Sequence, residues 1–330
     1  MKILYILPSE TVRTGGNWVT ATRLSEGLKK RGIYVDIIEV KDVSKDKIID
    51  YDVVHAFHAF KSLTKIKHLI MDKTVIVSFT GTDLEQLQQS GKDKAEITDL
   101  LNKIDSIIVF HGEAKEELIK EGILKEKVNA IPQTPLPMID VYKGKEQSTQ
   151  NLKSSNCVTF LFAAGIRKVK APLEVIEMMS ILEEKLGNIR LIIIGPILEK
   201  DLGEKVKARI EGEQWIKYLG EVSHQEVQRF ISESDIVING SISEGMSNIL
   251  LEAQQIGKPI LATDVAGNRA IVTHGVDGFL FKGRDEFDYY STKLVKDFNL
   301  RIKMGLSAIE SIKSYSLEDE ISIYEEVYKG

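Results

Sequence analysis

Short, continuous apolar segments alternate with amphipathic segments of helical length along almost the whole chain. Most of the apolar segments show little alternation of polar and apolar residues, which is typical of strands covered on both faces. Strands that alternate with helices in this way predict right-handed strand–helix–strand units and parallel sheets. We therefore expect strands at Lys2–Leu7, Val35–Val40, Val53–Ala56, Thr74–Phe79, Ser106–Phe110, Val128–Ile131, Val158–Ala163, Arg190–Ile194, Ile216–Leu219, Ile236–Asn239, Pro259–Ala262 and Gly278–Phe281.

A polar segment, KGKEQSTQNLKSSN, divides these predicted strands into two series. We expect an α/β fold of two Rossmann-like domains, residues 1–142 and 157–315, joined by a linker at 143–156. Residues 316–330 are predicted to form a C-terminal helix that packs back on the first domain. Because ligands of open α/β sheets bind beyond the carboxyl ends of the strands, two facing parallel sheets would place the site in the cleft between the domains.

Composition excludes several classes of protein. The chain has 330 residues, 43% of them hydrophobic, which is enough for two cores, and its formal charge of −5 argues against a nucleic-acid binder. The single cysteine, Cys157, excludes a disulfide framework and a cysteine-rich metal site. With neither a signal peptide nor a run of about 20 apolar residues, we expect a cytoplasmic protein with no membrane span.

The strongest local motif is SISEGMSNILLEA at residues 241–253, directly after a predicted buried strand. Its small residues and Ser247, a good N-cap, predict a turn that opens a helix at Asn248, which suits a phosphate. Glu252 lies one turn into that helix on the same face as Asn248, where it suits the hydroxyls of a ribose, and Glu244 in the turn suits sugar hydroxyls. The alternative interpretation is a solvated loop acid at Glu244 and a polar helix face at Glu252.

A second motif, AAGIRKVKAP at residues 163–172, follows the first strand of the second domain and opens a helix. Arg167 and Lys170 could hold a diphosphate and stabilise the charge that develops as it leaves. A solvated basic turn explains the same residues equally well.

Two further turns follow strands of the first domain. The sequence TGGN at residues 14–17 resembles a phosphate-type turn but is not GxGxxG, and a plain tight turn is nearly as good an interpretation. The sequence TGTD at residues 80–83 follows a buried strand, and His55 and His58 lie on the preceding strand and loop. This polar cluster is placed for binding, although Asp83 could serve only to cap the next helix. None of the six histidines forms a metal-binding pair at helical spacing, so we expect no metal and no cofactor.

On these residues the chain resembles, along almost its whole length, the retaining glycosyltransferases of the GT-B fold, of the group 1 or family 4 type. Their E-x7-E motif matches Glu244 and Glu252, with surroundings SEGMSNILLEAQQIGKPILATDVAGN and HGVDGFLF. The chain is most similar to the small glycosyltransferase 1 domain-containing proteins. It is also similar to selenosugar synthases in the segments GNWVTA, TGTD and RKVKAP.

The resemblance implies a role for each matching residue. Glu244 would contact the donor sugar, Glu252 the donor ribose, and Arg167 with Lys170 the diphosphate, so that Arg167, Lys170 and Glu244 are the catalytic candidates. The donor-binding candidates are Gly16, Gly165, Gly245, Met246, Ser247, Asn248 and Glu252, and the acceptor-side candidates are Asn17, His55, His58, Thr80, Thr82 and Asp83.

The implied reaction is metal-independent transfer, with retention, from a nucleoside diphosphate sugar, with UDP favoured, to an unidentified acceptor. Two departures from the family pattern bear on it: Arg167 and Lys170 are only three residues apart, and Thr80–Asp83 replaces a histidine that often follows the fourth strand. A selenosugar or thiosugar synthase and an inactive sugar-nucleotide-binding protein are the alternatives. A NAD-dependent dehydrogenase would need GxGxxG and an acidic ribose partner in the first domain, and the sequence has neither.

Overall fold

The computed structural model describes residues 1–8, 15–70, 73–138 and 157–330. The predicted linker at 143–156 and Thr14 of the TGGN turn lie outside the described residues. The chain divides into two compact units, the first formed by residues 1–134, 243–246 and 315–330 and the second by residues 135–242 and 247–314. The predicted C-terminal helix therefore groups with the first unit.

The first unit contains a six-stranded parallel sheet with the order β2-β1-β3-β4-β5-β6. Its apolar strands are almost completely buried, as expected for a sheet covered by helices on both faces. Each predicted strand is present, and its ends lie within one residue of the prediction. The strands are β1 (Lys2–Leu7), β2 (Tyr34–Glu39), β3 (Val53–Phe57), β4 (Thr74–Ser78), β5 (Ser106–Val109) and β6 (Val128–Ala130).

Helices connect the strands of this sheet and supply its second core layer. They are α1 (Gly16–Lys30), α2 (Lys45–Ile48), α3 (Thr64–Ile66), α4 (Asp83–Gln89), α5 (Lys94–Lys103) and α6 (Gly112–Lys120), with α14 (Leu317–Lys329) from the C-terminus.

A buried ion pair holds α14 against α1. Arg23 donates to Glu320 Oε1 at 2.8 Å, both side chains are almost inaccessible, and Thr134 donates to the other carboxylate oxygen. Ser316 accepts the backbone amide of Asp319 and so caps α14, as predicted.

The second unit contains another six-stranded parallel sheet, with the order β12-β11-β10-β7-β8-β9. Its six strands also lie within one residue of the predictions. They are β7 (Val158–Ala163), β8 (Ile189–Ile194), β9 (Ile216–Tyr218), β10 (Ile236–Asn239), β11 (Ile260–Thr263) and β12 (Gly278–Phe281). The helices are α7 (Pro172–Leu186), α8 (Lys200–Ile210), α9 (His224–Glu233), α10 (Asn248–Ile256), α11 (Ala266–Arg269), α12 (Arg284–Lys296) and α13 (Phe298–Ile312).

Each sheet reverses its strand order at one point, and these points mark the expected ligand sites. In the first sheet the order reverses at β1, which lies between β2 and β3; in the second it reverses between β7 and β10. Open parallel sheets bind ligands beyond the carboxyl ends of the strands at such a switch point, because the connecting loops diverge there. None of the described helices is long and apolar enough to cross a membrane.

Candidate active site

The turn that follows β10 is organised by the last residue of that strand. The Asn239 side chain accepts the backbone amide of Ser241 at 2.8 Å and donates to Ser247 Oγ at 3.0 Å, so it joins the two ends of the turn. Ser247 is the N-cap residue of α10, as predicted, but its hydroxyl is used by Asn239 and makes no capping bond. The first amides of α10 are therefore not capped by the side chain that the sequence suggested.

Glu252 lies one turn into α10 and is only 3% exposed. This burial excludes the interpretation of Glu252 as part of a solvated helix face. Asn248, four residues earlier on the same face, has a buried Oδ1 atom that makes no hydrogen bond within the described part of the chain. Because a buried acceptor without a donor costs about 1–3 kcal/mol, these two side chains form a polar surface suited to a hydroxyl-rich ligand.

His224 is the functional candidate that sequence reasoning missed. Its Nε2 atom lies 3.1 Å from Glu252 Oε2, and about a third of its side chain is exposed. Partial burial alone would lower the pKa of His224, but the hydrogen bond and the charge of Glu252 outweigh it and raise that pKa above its ordinary value. The sequence contains one local signal at this position: a capping box formed by Ser223 and Glu226, which predicts that a helix, α9, begins at His224.

Arg167 lies in the turn after β7, on the other side of the switch point. Backbone bonds to the segment after β8 fix this turn: Ile166 donates to the Pro196 carbonyl at 2.8 Å and accepts from Leu198 at 3.1 Å. The half-buried guanidinium of Arg167 makes no hydrogen bond or ion pair with any residue that the structure describes. It is therefore available to an anionic ligand.

Lys170 ends a short 3₁₀ turn, Lys168–Lys170, immediately before α7. The next residue, Ala171, has φ 48° and ψ 48°, a left-handed conformation that is uncommon for alanine. The amide of Ile242 donates to the Val169 carbonyl at 2.9 Å, so the turn with Lys170 is bonded to the turn after β10. The two basic residues thus share one loop, as predicted from the sequence.

Gly165, at the start of the same loop, packs closely against the segment after β8. A Cβ atom there would lie 2.7 Å from Leu198 Cδ1, the end of a flexible side chain. Gly195 is more constrained, because its φ is +134° and a Cβ would lie 2.1 Å from the Ala164 carbonyl oxygen. Close backbone approach after β7 and β8 therefore shapes the loop that carries Arg167.

Residues 243–246, which include Glu244, group with the first unit. Glu244 and Gly245 are half-buried, whereas Met246 is buried and its sulfur accepts the backbone amide of Gln133 at 3.3 Å. A Cβ on Gly245 would lie 3.1 Å from the Gly81 amide nitrogen. The Glu244 loop therefore lies against the TGTD turn.

Polar groups meet at the carboxyl ends of β3 and β4 in the first unit. His58 Nδ1 lies 2.7 Å from Asp83 Oδ1, and both side chains are buried. Asp83 is the first residue of α4 and accepts the amides of Ala59 and Thr80, so it bonds to the two preceding turns rather than capping its helix. Thr82 Oγ1 lies 3.3 Å from His58 Nε2.

The remaining first-unit candidates differ in accessibility. Gly16 is exposed and Asn17 half-buried at the start of α1, beyond β1. His55 is completely buried, and both ring nitrogens are occupied: Nδ1 by the Tyr328 hydroxyl at 2.7 Å and Nε2 by Ser78 Oγ at 2.8 Å. This arrangement favours a structural role for His55. In the described ranges, no group of three or more histidine, cysteine, aspartate or glutamate side chains is arranged to hold a metal ion.

Known proteins resemble the chain in both sequence and fold. Glycosyltransferase 1 domain-containing protein 1 of Xenopus tropicalis is 28% identical over 96% of this chain and 95% of its own length. HepE from Anabaena, solved with UDP and glucose, matches with a TM-score of 0.80 at 16% identity, covering 100% of both chains. Sucrose-phosphate synthase from Thermosynechococcus elongatus matches with a TM-score of 0.79 at 12% identity, covering 100% of this chain and 98% of its own.

The two structural matches show the GT-B fold, with its two parallel sheets. The family described as "Glycosyl transferases group 1" matches residues 144–311, half of the chain, and this segment contains the turns after β7 and β10. The chain therefore belongs to the group 1 glycosyl transferases and is a glycosyltransferase.

Proposed function

We propose that the protein transfers a sugar from a nucleoside diphosphate sugar, with UDP as the favoured nucleotide, with retention of configuration and without a metal ion. The observation that carries this proposal is the buried carboxylate of Glu252 beside the buried, unbonded Oδ1 of Asn248, at the switch point of the second sheet. The structure of HepE with UDP and glucose supports UDP as the nucleotide.

The ribose of the donor would occupy the polar surface of α10. Two neighbouring hydroxyl groups can donate hydrogen bonds to one carboxylate. The Glu252 carboxylate is oriented for this by His224, whose imidazole contacts the Oε2 atom of Glu252. Asn248 Oδ1 would accept a further hydroxyl and so lose its desolvation penalty.

The diphosphate would lie between the turns after β7 and β10. Arg167 supplies a planar guanidinium with no partner in the described chain, and Lys170 follows on the same loop. The N-terminus of α10 adds free amides and a positive helix end, which favour an anion. These groups can balance the charge of the leaving diphosphate, which supports transfer without a metal ion.

In the proposed reaction, the bond between the anomeric carbon and the diphosphate oxygen breaks, and its electron pair leaves with the diphosphate. The acceptor oxygen attacks the same carbon from the same face, with Glu244 bonded to the sugar hydroxyls. The acceptor O–H bond breaks, and its proton passes to the oxygen of the departing diphosphate. The rate comes from positioning and from electrostatic stabilisation of the leaving group.

A thermal-shift panel of UDP-glucose, UDP-N-acetylglucosamine, GDP-mannose and ADP-glucose tests the proposal. A ligand at 100 times its dissociation constant adds about 2.7 kcal/mol of stability, which gives a clear shift. We expect a UDP-sugar to give the largest shift, and its turnover to UDP to persist in EDTA. No shift with any nucleotide sugar would contradict donor binding. Loss of turnover in EDTA with recovery in Mg²⁺ would contradict metal independence.

A further inference from the structure

The loop that carries Glu244 is anchored to the first unit, although in sequence it lies between two elements of the second. Ser243–Met246 group with the first unit, whereas the residues on either side, which include β10 and α10, group with the second. The chain thus changes unit immediately before Ser247, the N-cap residue of α10. Different sets of contacts therefore hold Glu244 and Glu252.

Gly245, in the middle of this loop, packs against the turns that follow β4 and β5. A Cβ atom on Gly245 would lie 3.1 Å from both the Gly81 amide nitrogen and the Thr80 carbonyl carbon. It would also lie 3.2 Å from Phe110 Cδ2. These separations are shorter than the optimal contact distance between non-bonded atoms, and two of the three neighbours are backbone atoms. The loop can approach both turns this closely because residue 245 has no side chain.

Met246 fixes the end of the loop through its sulfur. The side chain is 6% exposed, and its Sδ atom accepts the backbone amide of Gln133 at 3.3 Å. A thioether is a weak acceptor, but a buried amide needs a partner, and here the sulfur supplies it. This contact holds the Met246 side chain against the segment that contains Gln133.

The segment that contains Gln133 is in turn bonded to α1 and α14. Gln133 Oε1 accepts the Thr20 hydroxyl at 3.0 Å, and both residues are buried. The next residue, Thr134, donates its amide to Glu320 Oε2 at 3.2 Å and its hydroxyl to the same atom at 2.5 Å. Met246 is therefore bonded to a segment that cannot shift without breaking buried hydrogen bonds, which are costly to leave unmade.

We propose that the Met246 side chain positions Glu244 for its contact with the donor sugar, through bonds that lie entirely within the first unit. Met246 follows Glu244 by two residues, and the tight packing of Gly245 fixes the backbone between them, so a shift of Met246 displaces the Glu244 carboxylate. Nucleotide binding depends on Asn248 and Glu252 of α10 and does not use these contacts. Met246 is a positioning residue, since it acts through Glu244. This inference rests on the proposed function.

The competing explanation is that Met246 only stabilises the first unit. Lower activity in a Met246 variant fits both explanations, so a rate measurement alone does not separate them. A double-mutant cycle with Glu244 does separate them, because a residue that acts through Glu244 has no effect once that carboxylate is removed. A residue that only stabilises the fold has the same effect in both backgrounds.

The experiment compares the wild type, M246L, E244A and the double variant E244A/M246L. Leucine is close to methionine in volume but has no sulfur to accept the Gln133 amide, so M246L keeps the packing and removes the hydrogen bond. The control is M179L, at a buried methionine of α7 in the core of the second unit.

The substrate is the nucleotide sugar of the panel that stabilises the protein most, with water as the acceptor. The first readout is kcat for release of the nucleoside diphosphate. The second is the pair of calorimetric Kd values, one for the nucleotide sugar and one for its nucleoside diphosphate, because their ratio isolates the contribution of the sugar. Thermal unfolding of every variant reports its stability.

We expect M246L to bind the nucleoside diphosphate within about 2-fold of the wild type, because α10 is unchanged. Its kcat should fall about 10-fold, since a misplacement of roughly 1 Å costs up to about 100-fold. Its affinity for the nucleotide sugar should fall about 3-fold or more relative to its affinity for the nucleoside diphosphate. Adding M246L to E244A should change kcat less than about 2-fold, and M179L should match the wild type.

An equal fall in kcat when M246L is added to the wild type and to E244A would overturn the proposal. An unchanged kcat in M246L would do the same, as would equal losses of affinity for the nucleotide sugar and for the nucleoside diphosphate. In each of these cases, binding of the nucleotide sugar by the wild type still supports the proposed function. If the wild type binds no nucleotide sugar, the proposed function fails and this inference fails with it.

Discussion

His224 Nε2 and Glu252 Oε2 lie 3.1 Å apart, and this contact joins the first residue of α9 to the buried face of α10. It gives the buried carboxylate a donor and fixes which of its oxygens remains available. In the proposed function this pair would form half of a ribose site, in which the imidazole orients the carboxylate and the carboxylate binds the hydroxyl groups.

Replacing His224 tests this orienting role. H224A should weaken UDP binding about 2- to 10-fold, because one hydrogen bond contributes roughly 0.5–1.5 kcal/mol. H224Q retains an amide donor and should bind within about 2-fold of the wild type, if the hydrogen bond is what matters. Calorimetric titration with UDP gives both values. Equal binding by H224A and the wild type would remove His224 from the site.

Arg167 should matter more for turnover than for donor binding. Negative charge on the diphosphate grows as its bond to the sugar breaks, so a cation there stabilises the transition state more than the ground state. R167A should lower kcat by about 10²–10³ with a smaller effect on donor Kd, and R167K should rescue little because lysine lacks the planar fork. R284A, at an exposed arginine that begins α12, is the control. Parallel losses in kcat and in donor affinity would show that Arg167 only anchors the donor.

His55 should make the protein sensitive to acid. Complete burial lowers the pKa of His55 to about 3, whereas the unfolded chain binds this proton near pH 6.5. Between these values the unfolded state holds more protons than the folded state. The free energy of unfolding therefore falls as the pH drops below about 6.5, by up to roughly 1.4 kcal/mol per pH unit.

Urea unfolding at several pH values measures this dependence. The slope of the free energy of unfolding against pH should be unchanged in H68Q, which replaces an exposed histidine, and should be smaller in H55N. An unchanged slope in H55N would assign the acid sensitivity to other groups.

Gly195 should tolerate no side chain. G195A combines a positive φ with a Cβ 2.1 Å from the Ala164 carbonyl oxygen, so backbone must move. Strain and overpacking together predict a loss of about 2–6 kcal/mol in the free energy of unfolding. G112A, at a helix start with open space around it, should be neutral or stabilising. Thermal unfolding compares the two, and a stable G195A would contradict the close approach after β7 and β8.

The strands were predictable because each is a continuous apolar segment covered on both faces, and this signal is local in the sequence. For the same reason the N-terminus of α10 was predicted correctly at Asn248, since a serine before an amphipathic segment is a local signal. The hydrogen bond made by the Ser247 hydroxyl was not predicted, because its partner is Asn239, eight residues earlier, and not an amide of the helix.

The polar pairs of the site could not be predicted, because their members are distant in sequence. His224 and Glu252 are 28 residues apart, and an exposed helix start gives no sign of a buried partner. The sequence placed His58 and Asp83 in one polar cluster, but it did not show that their side chains lie 2.7 Å apart or that the His58 backbone has a positive φ. Those features depend on the pairing of β3 with β4, which only the tertiary structure defines.

The binding of UDP to Glu252 is the central claim, and calorimetry on E252A tests it most directly. The control is E184A, at an exposed glutamate on α7 in the same unit. Loss of charge-assisted hydrogen bonds to the ribose costs about 1.5–3 kcal/mol, so E252A should bind UDP roughly 10- to 150-fold more weakly than the wild type. E184A should bind normally. Equal affinity of E252A and the wild type for UDP would contradict the assignment of α10 as the ribose site.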